Sequence, residues 1–181
     1  MKYFTNDWYK VDKGYVTVDI TKTSFLFTNK EPKKIKESRM ITSSVDYLNN
    51  NTEIIFKMIR PKDEFIEYIE TYSEYIKCEE DDIYRDIIFE IKKDKCWLRS
   101  IKGYEYYTEF KNYIQFLEDD RCKFDSGIIL DALEDLDCKN LEISLNRETD
   151  ICLSLKPSIV LKLRNIDSND FVVILPKVTE D

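Results

Sequence analysis

Residues 124–145, FDSGIILDALEDLDCKNLEISL, decide the fold class. Ile129, Ala132, Leu133 and Leu136 recur at helical spacing, and Asp125 and Ser126 stand where an N-cap belongs. Leu141, Ile143 and Leu145 then alternate with polar residues. The stretch therefore predicts a capped amphipathic helix that passes through a short polar connection into a half-buried strand. Ile151, Leu153 and Leu155, then Ile159, Leu161 and Leu163, repeat the alternation, and FVVILPKV over 171–178 closes it.

The same pattern occurs upstream. After Pro61, residues 62–76 place Phe65, Ile66, Ile69, Tyr72 and Ile76 on one helical face and leave Asp63, Glu64, Glu67, Glu70 and Glu74 elsewhere. Residues 85–91 and 95–101 read as strands joined at the polar turn Lys92-Lys93-Asp94, and residues 104–110 with 112–117 extend the meander. Helix followed by strands thus occurs twice in about 120 residues, a repeat of structure more than of sequence. Farther upstream, GYVTVDITKTSFLFTN reads as a hairpin. The chain divides into a β-rich segment over 1–55 and an α+β domain over 56–181.

Composition removes most enzyme classes. At 181 residues, 43% apolar and 13% aromatic, the chain can fill a sizeable core. Charged residues make up 35% and the formal net charge is −8, which opposes general affinity for phosphate backbones or anionic lipid. Histidine is absent, which excludes His general bases, Ser-His and Cys-His nucleophile pairs, and zinc sites that need an imidazole. Cys78, Cys96, Cys122, Cys138 and Cys152 are odd in number with no close pair, so they read as small core residues of a reducing compartment. Gly14, Gly103 and Gly127 are too scattered for a phosphate loop, and Ser126-Gly127 lacks the GxSxG pattern. The acidic runs Glu79-Glu80-Asp81-Asp82 and Glu118-Asp119-Asp120 lack EF-hand spacing and read as solvated loops. No stretch approaches the ~20 apolar residues of a membrane span, and the N-terminus lacks an apolar signal core. The expectation is a cytoplasmic, non-enzymatic protein with no cofactor or metal. The single alanine, Ala132, amid abundant Lys, Ile, Asn and Tyr points to an AT-rich coding sequence, as in a low-GC bacterium, its phage or plasmid, or an AT-rich virus.

Segment by segment, residues 59–178 resemble the C-terminal domain of bacterial DNA sliding clamps. DEFIEYIETYSEYI corresponds to the first helix of that domain and RDIIFEIKKDKCWLRSIKGYEYYTEF to its next strands. FDSGIILDALEDLDCKNLEISL corresponds to the second helix and following strand, and FVVILPKV resembles the hydrophobic last strand with its proline. SRMITSSVDYLNNNTEIIFKMI resembles the end of the preceding clamp domain, with Val45-Asp46-Tyr47-Leu48-Asn49-Asn50 in place of a glycine-containing Phe-Pro-Asp-Tyr loop. The resemblance implies an α+β, DNA-clamp-like fold, two repeats of helix plus antiparallel strands in one domain, preceded by a β-rich half-domain. Clamps close a ring of six such domains from chains that carry two or three. One and a half domains imply either an unusual oligomer or a chain that does not encircle DNA.

Two surfaces follow from the resemblance. Clamps hold short partner peptides in an apolar groove near the last strand. The matching positions are Val173, Leu175 and Lys177 in that strand, Ile159 in its neighbour and Pro61 at the incoming linker, with Lys177 where an apolar residue is expected. Such a groove takes one or two apolar anchors, although Ile159, Val173 and Leu175 read equally as core. Clamp helices line the central hole, where phosphates call for Lys or Arg, yet both helices here are acidic. Lys92, Lys93, Lys95, Arg99 and Lys102 form a local basic cluster, which is either a nucleic-acid contact or a device that keeps strand edges soluble. Tyr104, Tyr106, Tyr107 and Phe110 suit base stacking or cross-strand pairing.

Two functional classes emerge. One is a clamp-like scaffold of DNA replication or transcription, of phage, viral or mobile-element origin, that binds a polymerase or clamp-binding peptide, with DNA contact weakened and oligomerisation open. The other is an acidic decoy, inhibitor or immunity-type protein that engages a basic protein without DNA.

Overall fold

In the computed structural model the described residues are 7–11, 13–19, 24–37, 52–74, 86–92, 95–100, 107–110, 120–148 and 159–177. Four strands come first: β1 (Trp8–Val11), β2 (Gly14–Asp19), β3 (Ser24–Thr28) and β4 (Ile35–Lys36). A first repeat follows, β5 (Thr52–Pro61), α1 (Lys62–Glu74), β6 (Asp86–Lys92), β7 (Lys95–Ser100) and β8 (Tyr107–Phe110). The second is β9 (Asp120–Asp125), α2 (Ser126–Asp135), β10 (Asn140–Glu148), β11 (Ile159–Asn165) and β12 (Phe171–Ile174).

The repeats exchange their first strands. β5 pairs antiparallel with β10 of the second repeat, and β9 pairs antiparallel with β6 of the first. One sheet therefore runs β8-β7-β6-β9, while β12-β11-β10-β5 is lengthened through the β3–β12 pairing into the eight-stranded order β4-β1-β2-β3-β12-β11-β10-β5. The N-terminal strands are thus fused to the last strand in one sheet. The division at 55/56 falls inside β5.

Both helices start where the sequence places them. Asp125 accepts hydrogen bonds from the backbone N–H groups of Gly127 (2.8 Å) and Ile128 (3.2 Å), which satisfies two of the orphan donors of α2. Pro61 ends β5, and α1 begins at the next residue. Lys62 ties the two helices together, because its backbone N–H donates to the Lys139 carbonyl (2.9 Å) and its Nζ donates to the Leu136 carbonyl (2.7 Å) at the end of α2. Phe65 and Ile69 of α1 join Ile129, Ala132 and Leu133 of α2 in one core with Leu141, Ile143, Leu145, Leu161 and Leu163 beneath them. Phe89 and Phe124 meet edge to face there, with centroids 5.8 Å apart.

Three expectations meet a different outcome or none. The alternation over 141–145 predicts a half-buried strand, yet Glu142, Ser144 and Asn146 are buried along with Leu141, Ile143 and Leu145, so β10 is covered on both faces. The first helix is described to Glu74, short of 76. Strands over 112–117 and 151–155, the tyrosines Tyr104 and Tyr106, and Cys78 and Cys152 lie outside the described residues.

The β11–β12 turn is built without glycine. Asn165, 5% exposed, accepts from the Asp167 and Ser168 N–H groups and donates through its side chain to the Asp137 carbonyl (2.9 Å). Asn169 takes the left-handed conformation (φ 61°), which asparagine tolerates better than most residues.

Candidate partner-binding site

Strand parity decides which candidate residues share a surface. Val173 of β12 lies across from Lys162 of β11 and Phe25 of β3, and this row projects from the sheet face opposite the helices. Val11, Val16, Phe27, Val160, Phe171 and Val173 form a second apolar cluster on that outer face. Phe27 and Phe171 stack with centroids 4.6 Å apart, and Lys162 Nζ sits 3.9 Å from the Phe171 centroid.

Of the five groove positions, the structure groups two. Val173 belongs to the outer cluster, and Leu175 packs against it. Ile159 lies in the core under the helices, so Val160 is the apolar β11 residue that shares a surface with Val173; a shift of one residue exchanges the faces. Pro61 sits across from Asn140 on β5, three strands from β12 and so roughly 14 Å away at ordinary strand spacing. Lys177 turns to β9, where its N–H donates to the Lys123 carbonyl (2.8 Å) and its Nζ lies 3.2 Å from Asp125 Oδ2. Within the basic cluster, Lys92 and Lys95 face each other across the β6–β7 hairpin and Arg99 pairs with Ile88, while Lys93 and Lys102 lie outside the described residues.

The sequence reading did not single out a polar group on the same outer face. Glu142, 7% exposed, receives Lys57 Nζ at 2.5 Å and Arg164 Nη2 at 2.8 Å on one oxygen. Burial pushes the Glu142 carboxyl up, but hydrogen bonds and charge from Lys57 and Arg164 outweigh it and hold the pKa below the ordinary value. Beside them, burial pushes the Lys162 ammonium down, and Arg164 adds to that shift against the pull of Glu142. The available signal was the polar member of each alternation, in FKMI, LEIS and LKLR, which on sequence alone reads as solvent-facing.

No protein-family model and no curated protein matches the sequence. Solved structures do. The chain is similar to the DNA polymerase III beta chain of Streptococcus pneumoniae TIGR4, with TM-score 0.52, 13% identity, 91% of this chain covered and 42% of that one. The DNA polymerase sliding clamp of Bacillus subtilis gives TM-score 0.51 and 16% identity over 91% of this chain and 41% of that one. The beta subunit from DNA polymerase of Streptococcus pyogenes gives 0.51 and 12% over 91% and 42%. The chain has the sliding-clamp fold. It spans about two-fifths of the length of those clamps.

The helical side of this clamp fold is acidic. Asp63, Glu67 and Glu70 of α1 and Glu134 of α2 are exposed, with Glu64, Asp131 and Asp135 half-buried. Lys62 is the one cation in either helix, and its ammonium is taken up by the end of α2. Burial, above all, pushes the Cys138 thiol up and away from a reactive thiolate. Among the described residues no group of three or more Cys, Asp or Glu is placed to hold a metal, and no helix is long and apolar enough to cross a membrane.

Proposed function

We propose that this chain is a non-enzymatic clamp-fold scaffold of DNA replication or transcription that holds protein partners and does not grip duplex DNA with its helices. The observation that carries the reading is the combination of a DNA polymerase clamp fold with acidic side chains along both helices. A duplex presents one phosphate charge per ~1.7 Å of axis, and carboxylates facing it raise the electrostatic cost of every register. Partner-peptide contact is proposed at Leu175, half-buried beside the Val173 cluster, with the β-rich 1–55 region as a half-domain whose strands continue into the sheet of the clamp-like 56–181. An origin in a phage, virus or mobile element fits the residue usage of an AT-rich coding sequence, and the cytoplasm fits five cysteines with no closely spaced pair in the sequence.

Solution mass by light scattering on a sizing column, with and without duplex DNA, tests this. A mass unchanged by DNA supports the reading; a closed oligomer that forms on DNA, with a steep salt dependence, overturns it. The same acidic helices favour a second reading, a decoy or immunity-type protein that engages a basic partner. Tight one-to-one binding of a basic protein in the absence of DNA distinguishes it.

A further inference from the structure

We propose that the outer sheet face around Ser144 is a binding site for a dianionic phosphate group, held by Lys57, Lys162 and Arg164. Strand register brings these residues together. Ser144 of β10 lies across from Lys57 of β5 on one side and from Lys162 of β11 on the other, and Arg164 stands two residues farther along β11. Neighbouring strands are ~4.8 Å apart, so two lysines with Cα atoms on the order of 10 Å apart flank one hydroxyl. The residues that alternate with them, Phe56, Met58, Ile143, Leu145, Leu161 and Leu163, lie in the core, which puts the four polar ones on the face opposite the helices.

Charge in this cluster is unbalanced. Three cations meet one carboxylate, Glu142, and Lys57 Nζ and Arg164 Nη2 already converge on the same oxygen of it. Lys162 Nζ lies instead over the Phe171 ring. Burial, and then repulsion from Arg164, push the Lys162 ammonium down against the attraction of Glu142. Arg164 Nε is buried and has no hydrogen-bond partner among the described residues. Donors therefore outnumber acceptors, and an oxyanion supplies several lone pairs at once through charge-assisted hydrogen bonds.

The cluster reaches solvent through its cations. The side chains of Lys57 and Arg164 are 25% and 34% exposed, and Lys162 is half-buried. Partial burial also protects such contacts from screening by salt. A phosphate dianion neutralises the excess left by three cations and one carboxylate, whereas a carboxylate ligand neutralises half of it. The inference needs neither the acidic helices nor peptide contact at Leu175, so it stands or falls separately from the proposed function.

The test follows the thermal midpoint of the full chain against inorganic phosphate, with chloride and acetate at matched ionic strength as references. Phosphate is expected to raise the midpoint saturably and beyond both references. Lys162→Met keeps a long apolar side chain on Phe171 and leaves the Glu142 ion pairs in place, so it is expected to retain the circular dichroism of the parent and to lose the saturable rise. Ser144→Ala is expected to weaken phosphate by about threefold or more, the scale of one hydrogen bond. A fluorescein-labelled phosphoserine peptide, read by anisotropy with inorganic phosphate as competitor and the unphosphorylated peptide as control, identifies the source. Binding tighter than that of inorganic phosphate assigns the site to a phosphorylated partner; otherwise the free ion is the ligand. A rise that never saturates is the general stabilisation that phosphate gives by exclusion from protein surfaces. That result, an equal rise with acetate, or an undiminished rise in Lys162→Met overturns the proposal.

Discussion

Asp125 holds two structures at once, since it caps α2 through two backbone N–H groups and anchors Lys177 after β12. Asp125→Ala is expected to lower stability in urea unfolding by about 1–2 kcal/mol, mostly through the cap. Lys177→Ala is expected to cost under about 1 kcal/mol, because that ion pair is partly solvated. The cap was legible in the sequence because donor and acceptor lie within three residues. The Glu142 ion pairs were not, because Lys57 and Arg164 reach the carboxylate only through strand register. Glu142→Gln is expected to cost about 2 kcal/mol at neutral pH, the scale of hydrogen bonds to a charged group. The folded carboxyl lies below its ordinary pKa, so this contribution is present above the unfolded value and is lost as pH falls through the folded one. The stability gap between the two proteins, followed by urea titration from pH 7 downward, should narrow across the acid range. Gly14 marks a close approach of another kind. A Cβ there would stand 2.5 Å from the Phe27 ring and 2.7 Å from the Thr28 carbonyl, so Gly14→Ala is expected to destabilise by about 1–3 kcal/mol in the same assay.

Among the elements, the helices were the most legible, because spacing alone selects their buried face. Phe65→Ala or Ile69→Ala removes a fully buried side chain, and thermal unfolding should report a loss of about 2–5 kcal/mol, against almost none for the exposed Glu67→Ala. The strands were legible only where they alternate. IVLKLRN assigns Ile159, Leu161 and Leu163 to the core without ambiguity, whereas FVVI is apolar at every position and leaves its two faces undecided. That uniformity is why Ile159 and Val173 were joined in one groove although the sheet separates them. It also reflects a physical fact about β12, which is buried on both sides and has no solvent face to encode.

At the scale of the molecule, the sequence announced two repeats but not the exchange of β5 and β9 between them, since strand order is written in contacts far apart along the chain. The acidic helices were visible from the start, and they can be tested by reversal. A Glu67→Lys, Glu70→Lys, Glu134→Lys variant is expected to acquire duplex DNA binding that weakens steeply with added salt, measured by anisotropy against the parent chain. The junction of β3 with β12 has a temporal consequence. Asn29 and Asp170, hydrogen-bonded beside that junction, are 141 residues apart. At about 5–20 residues per second of synthesis, β3 waits on the order of ten seconds for its neighbour. Throughout that interval Phe25 and Phe27 lack their β12 partners, so a nascent chain stalled before residue 171 should be a preferred client of ribosome-bound chaperones, and a completed one should not.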